Sequence, residues 1–589
     1  MILQALVHYY ETLLERGLVA RPGWTTGKVC WGLELSPTGK LLAVKDLQTE
    51  VTSGKKTKLI ATPMEVPEQV KRTNGVAPNF LCDTSSYILG VDDNEKQPDR
   101  ALKCFEAAKK LHLDILSSVS GLAANAICAF YLHWDPSKTA EHPALKDTLA
   151  EIVKTGGNII FMLDGDPILN DPEIAEAWEK HREKSMADCE MIRCLVTGKE
   201  APLARLHPLI KGVKGAQSSG ASLVSFNSPS FESYGRTQGA NASVSTYAAY
   251  AYGQALNYLV SDKEHCKVVG DTTVVCWADT GETAYQDVFY SVVFSPEGIT
   301  EDDFCRVVHT LADDMPVDWD GVRLDPHMQY YILGLAPNAG RLSVRFFWQN
   351  SFGKVIENVK AHYDRLEIAK PVFDNRSVLS PYWLLQETVN KSAKNPTPSP
   401  QLSGDLLRAI LNNSRYPATL INGISLRIHA EQNVTRGQAA AIKAYYLKNT
   451  TPLCPQEVLT MELNKDSNYT PYVLGRLFFV LERLQKAAIK NIKTSIRERF
   501  FGGAYSTPYL VYPTLIGLAQ HHLRKLDDGL RIYYDSQITD LLGRINHEFP
   551  IRLSLPEQGA FELGYYHAAQ EFFKSKKDKP EEETEAVTE

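Results

Sequence analysis

The chain lacks a long apolar run. No stretch approaches the roughly 18 residues that a helix needs to cross a bilayer, so neither a membrane span nor a membrane partner is expected. It also lacks a CxxC pair. Its ten cysteines are scattered, and the nearest two, Cys189 and Cys194, are wrongly spaced for a zinc knuckle. They read as buried free thiols of a reducing cytoplasm, with no metal and no cofactor. A secretory leader is missing too: MILQALVHYYETLLERG carries charges inside an apolar face and reads as an amphipathic helix. There is no GxxxxGK[ST], HExxH or GxSxG, and no convincing acidic-plus-His nuclease cluster. Catalytic groups converge from distant positions, so these gaps do not exclude catalysis; they shift the expectation toward a non-catalytic binding protein. Nor is there a surplus of positive charge. Lys and Arg number 63 against 70 Asp and Glu, a net of −7, so any nucleic-acid contact has to come from local basic stripes.

What is present is an ordinary globular composition, 44% hydrophobic and 23% charged, over 589 residues, which is too long for one core. The least ordinary stretch is 215–241, GAQSSGASLVSFNSPSFESYGRTQGAN. It shows no helix or strand period and is rich in glycine, serine and amide side chains. A long loop inside a compact domain is usually functional or disordered. Phe226, Phe231 and Tyr234 can anchor this one, so it is expected to be ordered. Asn227, Ser228, Gln238 and Asn241 offer base-edge chemistry, and Arg236 offers a phosphate contact. A Ser/Gly-rich surface loop has the same composition.

Several elements are legible along the chain. KVCWGLELSPTGKLLAVKDLQ reads as a hairpin turning at 36–39. Lys71, Arg72, Thr73, Asn74 and Gly75 form a polar turn with phosphate and base-edge chemistry, although any solvated turn looks alike. From Pro98 to about His133 the pattern is helical, with Leu102, Phe105, Ala108 and Leu111 on one face. An apolar strand then runs into Asp164-Gly165-Asp166. These two aspartates are the basis of the alternative reading, a metal-dependent nuclease or hydrolase. A strand ending in an Asp-Gly turn is preferred, because no matching Ser/Thr, Lys and second acidic cluster accompanies it. Asp171-Pro172 starts the next helix as cap and first position. VVGDTTVVCWAD is a strand, and two more flank Pro337-Asn338-Ala339-Gly340.

SAKNPTPSPQLSGD, 392–405, has the composition of a linker. The expected architecture is α+β: a mixed α/β domain over 1–391 and an all-α bundle over 406–573, with a disordered charged tail at 574–589. Within the bundle, a helix expected from Tyr472 to Arg499 carries Arg476, Arg483, Lys486, Lys490, Lys493 and Arg497. At 100° per residue these fall within an arc of roughly 100°, with Leu477, Leu481 and Leu484 opposite. Only Glu482 and Glu498 offset them. A stripe of nearly one sign fits a phosphate backbone better than an ordinary solvated face, which mixes Glu with Lys.

MILQALVHYYETLLERG, RTNGVAPNFLCDTSSYILG, LVSFNSPSFESYGRTQGAN, YYILGLAPNAGRLSVRFFW and FELGYYHAAQEFF together resemble one family, the large subunit of the type I-C CRISPR surveillance complex, Cascade. The resemblance covers nearly the whole chain, in order. It implies a non-catalytic subunit of an RNA-guided assembly. That assembly contains a guide RNA, repeated backbone subunits, a cap subunit on the guide's 5′ handle and small helical subunits. The large subunit is expected to read the protospacer-adjacent motif on target double-stranded DNA, help open it, hold the displaced single strand in an R-loop, and help recruit a helicase-nuclease. The family also obtains small subunits by internal translation. Met461 is well placed as such a start, because it leaves 129 residues, enough for a small bundle. Codons for Gln456-Glu457-Val458 can spell the ribosome-binding sequence AGGAGG just upstream of it.

Overall fold

The computed structural model describes all residues except 54–55, 71, 73–74, 94–97, 187–188, 295–297, 395, 490–491, 493, 546–547 and 576–589. The chain divides into two compact units. The first holds 1–208 and 224–256; the second holds 209–223 and 257–589.

The first unit opens with helix α1 (Ile2–Glu15), which buries Leu6, Tyr9, Tyr10 and Leu13, a helical spacing, as its amphipathic sequence implies. Its sheet is built on the long strand β1 (Trp24–Leu35). The expected hairpin forms: β2 (Leu41–Asp46) pairs antiparallel with Trp31–Leu35 of β1, and β3 (Thr62–Pro67) pairs with Trp24–Val29. Thr49–Ser53 and Lys56–Ile60 pair antiparallel as a separate two-stranded sheet. The short β4 (Cys82–Asp83) lies antiparallel to β5 (Asn158–Leu163), and β5 runs parallel to β1. A parallel pair needs a long crossover, supplied here by helices α2 (Pro98–Leu116) and α3 (Leu122–His133). The single helical pattern expected from Pro98 to His133 is therefore two helices. Phe105 and Ala108 are buried as expected, whereas Leu102 is exposed. β5 ends at Leu163, and Asp164 and Gly165 both take positive φ in the turn to β6 (Asp166–Pro167). Helix α4 (Pro172–Met186) follows, and Asp171 Oδ1 accepts from the Glu173 and Ile174 amides, the expected cap.

The second unit holds a sheet in the order β7 (Leu209–Ile210), β8 (Ala221–Ser222), β12 (Arg341–Ser351), β11 (Gln329–Asn338), β10 (Thr272–Ala278), β9 (Lys267–Val269). Helix α5 (Thr246–Ser261) runs from the first unit's residues into the second's. β9 (Lys267–Val269) and β10 (Thr272–Ala278) form a hairpin, as do β11 (Gln329–Asn338) and β12 (Arg341–Ser351), which turn at the expected Pro337–Gly340. Every residue of β10 is buried, so its apolar run TTVVCWA marks a strand covered on both faces. Helices α6 (Ala284–Val293) and α7 (Phe352–Leu366) share the core with it through Val288, Val292, Val355 and Val359.

The rest is helical: α8 (Pro400–Leu411), α9 (Arg436–Lys448), α10 (Thr470–Ala488), α11 (Ile496–Ser506), α12 (Pro508–Leu523), α13 (Asp528–Gly543) and α14 (Leu555–Ser575), with a further helix at Ala418–Glu431. The boundary expected at 392–405 does not separate the two units. α8 starts inside it, with Pro400 at its first position and Leu402, Ser403 and Gly404 buried. The proline there starts a helix rather than marking a linker. α14 likewise runs two residues into the expected tail.

α10 is the axis of the last five helices, and α14 lies closest to it. At their crossing the backbones touch. A Cβ at Gly475 would fall on the Phe561 carbonyl oxygen, and one at Gly564 on the Tyr472 carbonyl oxygen. On the face of α14 toward α9, Glu562 is fully buried with no hydrogen-bond partner on either oxygen. Desolvation pushes its pKa up to about 8. A carboxyl that keeps its proton in the fold and loses it on unfolding makes stability fall as pH rises between about 4.5 and 8, by up to roughly 1.4 kcal/mol per unit. Replacing Glu562 with leucine is expected to flatten that slope and to raise the unfolding free energy by about 2 kcal/mol at pH 7.5. Urea titrations of both chains across pH 5–8 check this; parallel slopes would show that Glu562 finds a partner.

Candidate nucleic-acid interface

The stretch 215–241 is not one loop. Ala221–Ser222 form β8, which pairs with β7 and bridges to Arg341 in the second unit, while 224–241 belongs to the first. The latter part is ordered by its own side chains. Asn241 Oδ1 accepts from the Ser233 amide at 2.9 Å, and its Nδ2 donates to the carbonyls of Arg236 at 2.8 Å and Gln238 at 3.0 Å. Glu232 Oε1 takes the Gln238 amide at 3.0 Å. Asn241 was expected to read base edges; instead its amide closes the loop on itself. Gly239 donates to the Arg205 carbonyl at 3.1 Å and lies so close that a Cβ would sit 2.8 Å from that oxygen.

The closure presents a tip. Tyr234 adopts φ 55°, Gly235 φ 68° and Gln238 φ 47°, conformations that side-chain-bearing residues hold only when their surroundings impose them. Tyr234 is 100% exposed, so it does not anchor the loop as expected, and Phe231 is 42% exposed. Arg236, Asn227 and Gln238 of the same loop are exposed, and the Ser228 hydroxyl bonds that of Ser230 at 3.0 Å.

Lys71, Thr73 and Asn74 lie outside the described residues. Arg72 does not face solvent as a phosphate contact would. Its guanidinium pairs through both terminal nitrogens with Asp83, whose side chain is 2% exposed, and rests 3.9 Å from the Tyr87 ring centroid. Asp83 also accepts from the Asn79 and Thr84 amides at 2.8 Å. Arg72 therefore holds Ala77, Asp83 and Tyr87 together.

The basic stripe is not a continuous solvent face. α10 ends at Ala488 and a new helix starts at Ile496, while Lys490 and Lys493 lie outside the described residues. Arg476 is buried and donates to the Asn464 and Lys465 carbonyls. Being the bundle's axis, α10 has no free side at that level. Farther along, Lys486 and Arg497 both approach Glu482, which is 2% exposed and accepts from Tyr565 at 2.7 Å. Arg483 stacks over Phe572, 4.6 Å to the centroid.

Arg483, Lys486 and Arg497 nonetheless share a wall of one cleft, about 1150 Å³, within the second unit. Other residues that line this cleft were not read from the sequence. Among them, Asp374 accepts from Arg376 at 2.8 Å and from Arg436 at 3.2 Å, and these bonds hold its carboxyl at a pKa of about 2. Arg376 stacks over Trp383, while Val372 and Phe373 are exposed, Phe373 by 86%. The motif VFDNR held the signal, an aromatic beside an Asp-x-Arg pair. Cations and exposed aromatic faces in one groove suit single-stranded nucleic acid.

Asp164 and Asp166 sit at their turn, where Gly165 donates to Glu34, and among the described residues no group of three or more His, Cys, Asp or Glu is disposed to hold a metal ion. No described helix is long and apolar enough to cross a membrane. None of the curated proteins matches the chain. Residues 6–573 match the model of a family described as CRISPR-associated protein (Cas_Csd1), and over that span the match settles membership: the chain belongs to the Cas_Csd1 family of CRISPR-associated proteins.

Proposed function

We propose that the chain is the large, non-catalytic subunit of a type I-C Cascade, which recognises the adjacent motif on duplex DNA, helps open it and recruits a helicase-nuclease. The observation that carries this is the tip at Tyr234–Arg236: a fully exposed aromatic beside an exposed guanidinium, on a loop that its own amide side chain holds in shape. In RNA-guided recognition, base pairing reads the target and the protein reads only a short duplex motif. A small rigid tip is enough for that task. Tyr234 supplies a stacking face at the opening duplex, Arg236 a phosphate contact, and Asn227 and Gln238 the amides for base edges. The cleft around Phe373 takes the displaced strand.

Tyr234→Ala is expected to weaken target binding by about 1–3 kcal/mol, the worth of one base–aromatic stack, without changing the unfolding midpoint. Binding of the assembled, guide-loaded complex to duplexes differing only in the adjacent motif measures it. If affinity and motif preference both survive Tyr234→Ala with Arg236→Ala, the tip does not touch the duplex.

The same gene is proposed to make a second product starting at Met461. The segment's first residues are tied to its last helix, through Glu462 to Lys574 at 2.9 Å and Lys465 to Glu571 at 2.7 Å, and α10 and the four helices around it all follow Met461. Expression of the native gene is expected to yield a fragment beginning at or near Met461. Synonymous recoding of Gln456–Val458 should remove it while leaving the long chain. A fragment unaffected by recoding rejects the codon argument, and no fragment at all rejects the second product.

A further inference from the structure

Helix α14 delivers the end of the chain to the Phe373 cleft. Phe573 and Lys574, in its last turn, line the cleft, and the sequence continues for 14 residues as KKDKPEEETEAVTE. The charge of this tail is divided. Lysines precede Pro580, and five glutamates follow it, at 581, 582, 583, 585 and 589. The cleft has the opposite surplus, with eight Lys and Arg among its described lining residues against five Asp and Glu. Several of those cations are tied to carboxylates, as Lys391 is to Glu387 at 3.3 Å, while Lys370 is exposed at the rim. Residues 576–580 span up to about 17 Å when extended, and 581–589 roughly another 30 Å. A chain of that length following Ser575 is long enough to return to the cleft that Phe573 and Lys574 line.

We infer that residues 581–589 dock in this cleft as an internal competitor of single-stranded nucleic acid. Each exposed glutamate–lysine pair is weak. A short tether, however, holds the tail at an effective concentration in the millimolar range, so a weak site is filled in the free protein. A strand of many phosphates with bases stacking on Phe373 displaces the tail, whereas a brief contact with a few phosphates does not. The cleft thus favours a strand already displaced from a target over incidental nucleic acid. The inference rests on reading the cleft as a single-strand site, and the experiment separates the two.

The full chain, a chain ending at Ser575, and a chain carrying Glu581→Gln, Glu582→Gln, Glu583→Gln, Glu585→Gln and Glu589→Gln are each titrated with fluorescent oligothymidine at low and high salt. Each is also made with Lys370→Ala, Lys391→Ala and Phe373→Ala together. Removing or neutralising the tail is expected to tighten binding about 3- to 10-fold at low salt. The gain should vanish in high salt, and the cleft substitutions should weaken binding in every background. Equal affinity of the full and shortened chains, with the cleft substitutions still damaging, overturns the docked tail and leaves the cleft reading standing. No effect of the cleft substitutions in the shortened chain overturns both. Carbodiimide coupling of the full chain supplies the direct test. Amides between tail glutamates and Lys370, Lys391 or Lys486, lost on adding oligothymidine, support docking; amides to lysines elsewhere overturn it.

Discussion

Gly475→Ala is expected to destabilise the helical part of the second unit by roughly 5 kcal/mol, more than a buried methyl usually costs. The added carbon has nowhere to go. It falls on the Phe561 carbonyl oxygen and 2.8 Å from the Tyr565 amide nitrogen, all backbone of α14, where no side chain can swing aside. The helices have to part, and the contacts beside the crossing open with them. These include the 3.0 Å bond from Tyr472 to His567, the 2.7 Å bond from Tyr565 to Glu482, and the packing of Phe478 on Phe561. Gly564→Ala is expected to match it, since its Cβ meets the Tyr472 carbonyl from the other side. Gly543→Ala is the control. It ends an exposed helix with nothing within 4 Å, so it should be neutral or gain up to about 1 kcal/mol. Urea denaturation of the three variants decides the matter. A Gly475→Ala chain as stable as the Gly543→Ala chain would mean that the helices do not cross at this distance.

Arg72→Ala should lower the unfolding free energy of the first unit by about 3–5 kcal/mol, because it leaves the buried Asp83 carboxylate without its countercharge. Lysine should recover little, since one ammonium replaces neither the two-pronged pairing with Asp83 nor the stacking on Tyr87. A residue that merely held a phosphate would behave oppositely: alanine would spare the fold and weaken every DNA sequence alike. Arg236→Ala, at the exposed tip, is expected to show that second behaviour. Thermal unfolding beside DNA binding separates the two arginines. An unchanged melting temperature for Arg72→Ala would return it to the surface.

Arg72 and Arg236 also show how far the sequence carries. Both sit in polar turns rich in hydrogen-bonding side chains, and nothing local tells them apart. Arg72 finds Asp83 only because the chain returns through β4, and that pairing is set by the fold. Asn241 has the same history, its amide being taken by three main-chain groups of its own loop. Apolar periodicity was more dependable. The hairpin β1–β2, the pair β11–β12 and the Asp171-Pro172 helix start were legible because each depends on neighbours in sequence. The basic stripe failed for the complementary reason. A period of 3.6 finds a face but not what covers it, and Arg476 faces the bundle while Lys486 and Arg497 converge on a buried glutamate. The cleft that gathers Arg483, Lys486 and Arg497 was hidden in VFDNR, whose partner Arg436 is 60 residues away along the chain.

The face of α14 that meets α9 has a further consequence if translation also begins at Met461. Ile442 and Tyr446 lie against Gly559, and the Glu562 carboxyl on the same helix bears electrostatically on Tyr446, Cys454 and Tyr505. Of these, only Gly559, Glu562 and Tyr505 follow Met461. One stretch of coding sequence then has to serve two surroundings, dry in the long product and wet in the short one. A leucine at 562 would suit the first and make the second adhesive. A glutamate tolerates both, surrendering its charge under cover and regaining it in water, so its cost to the long chain is the solubility of the short one.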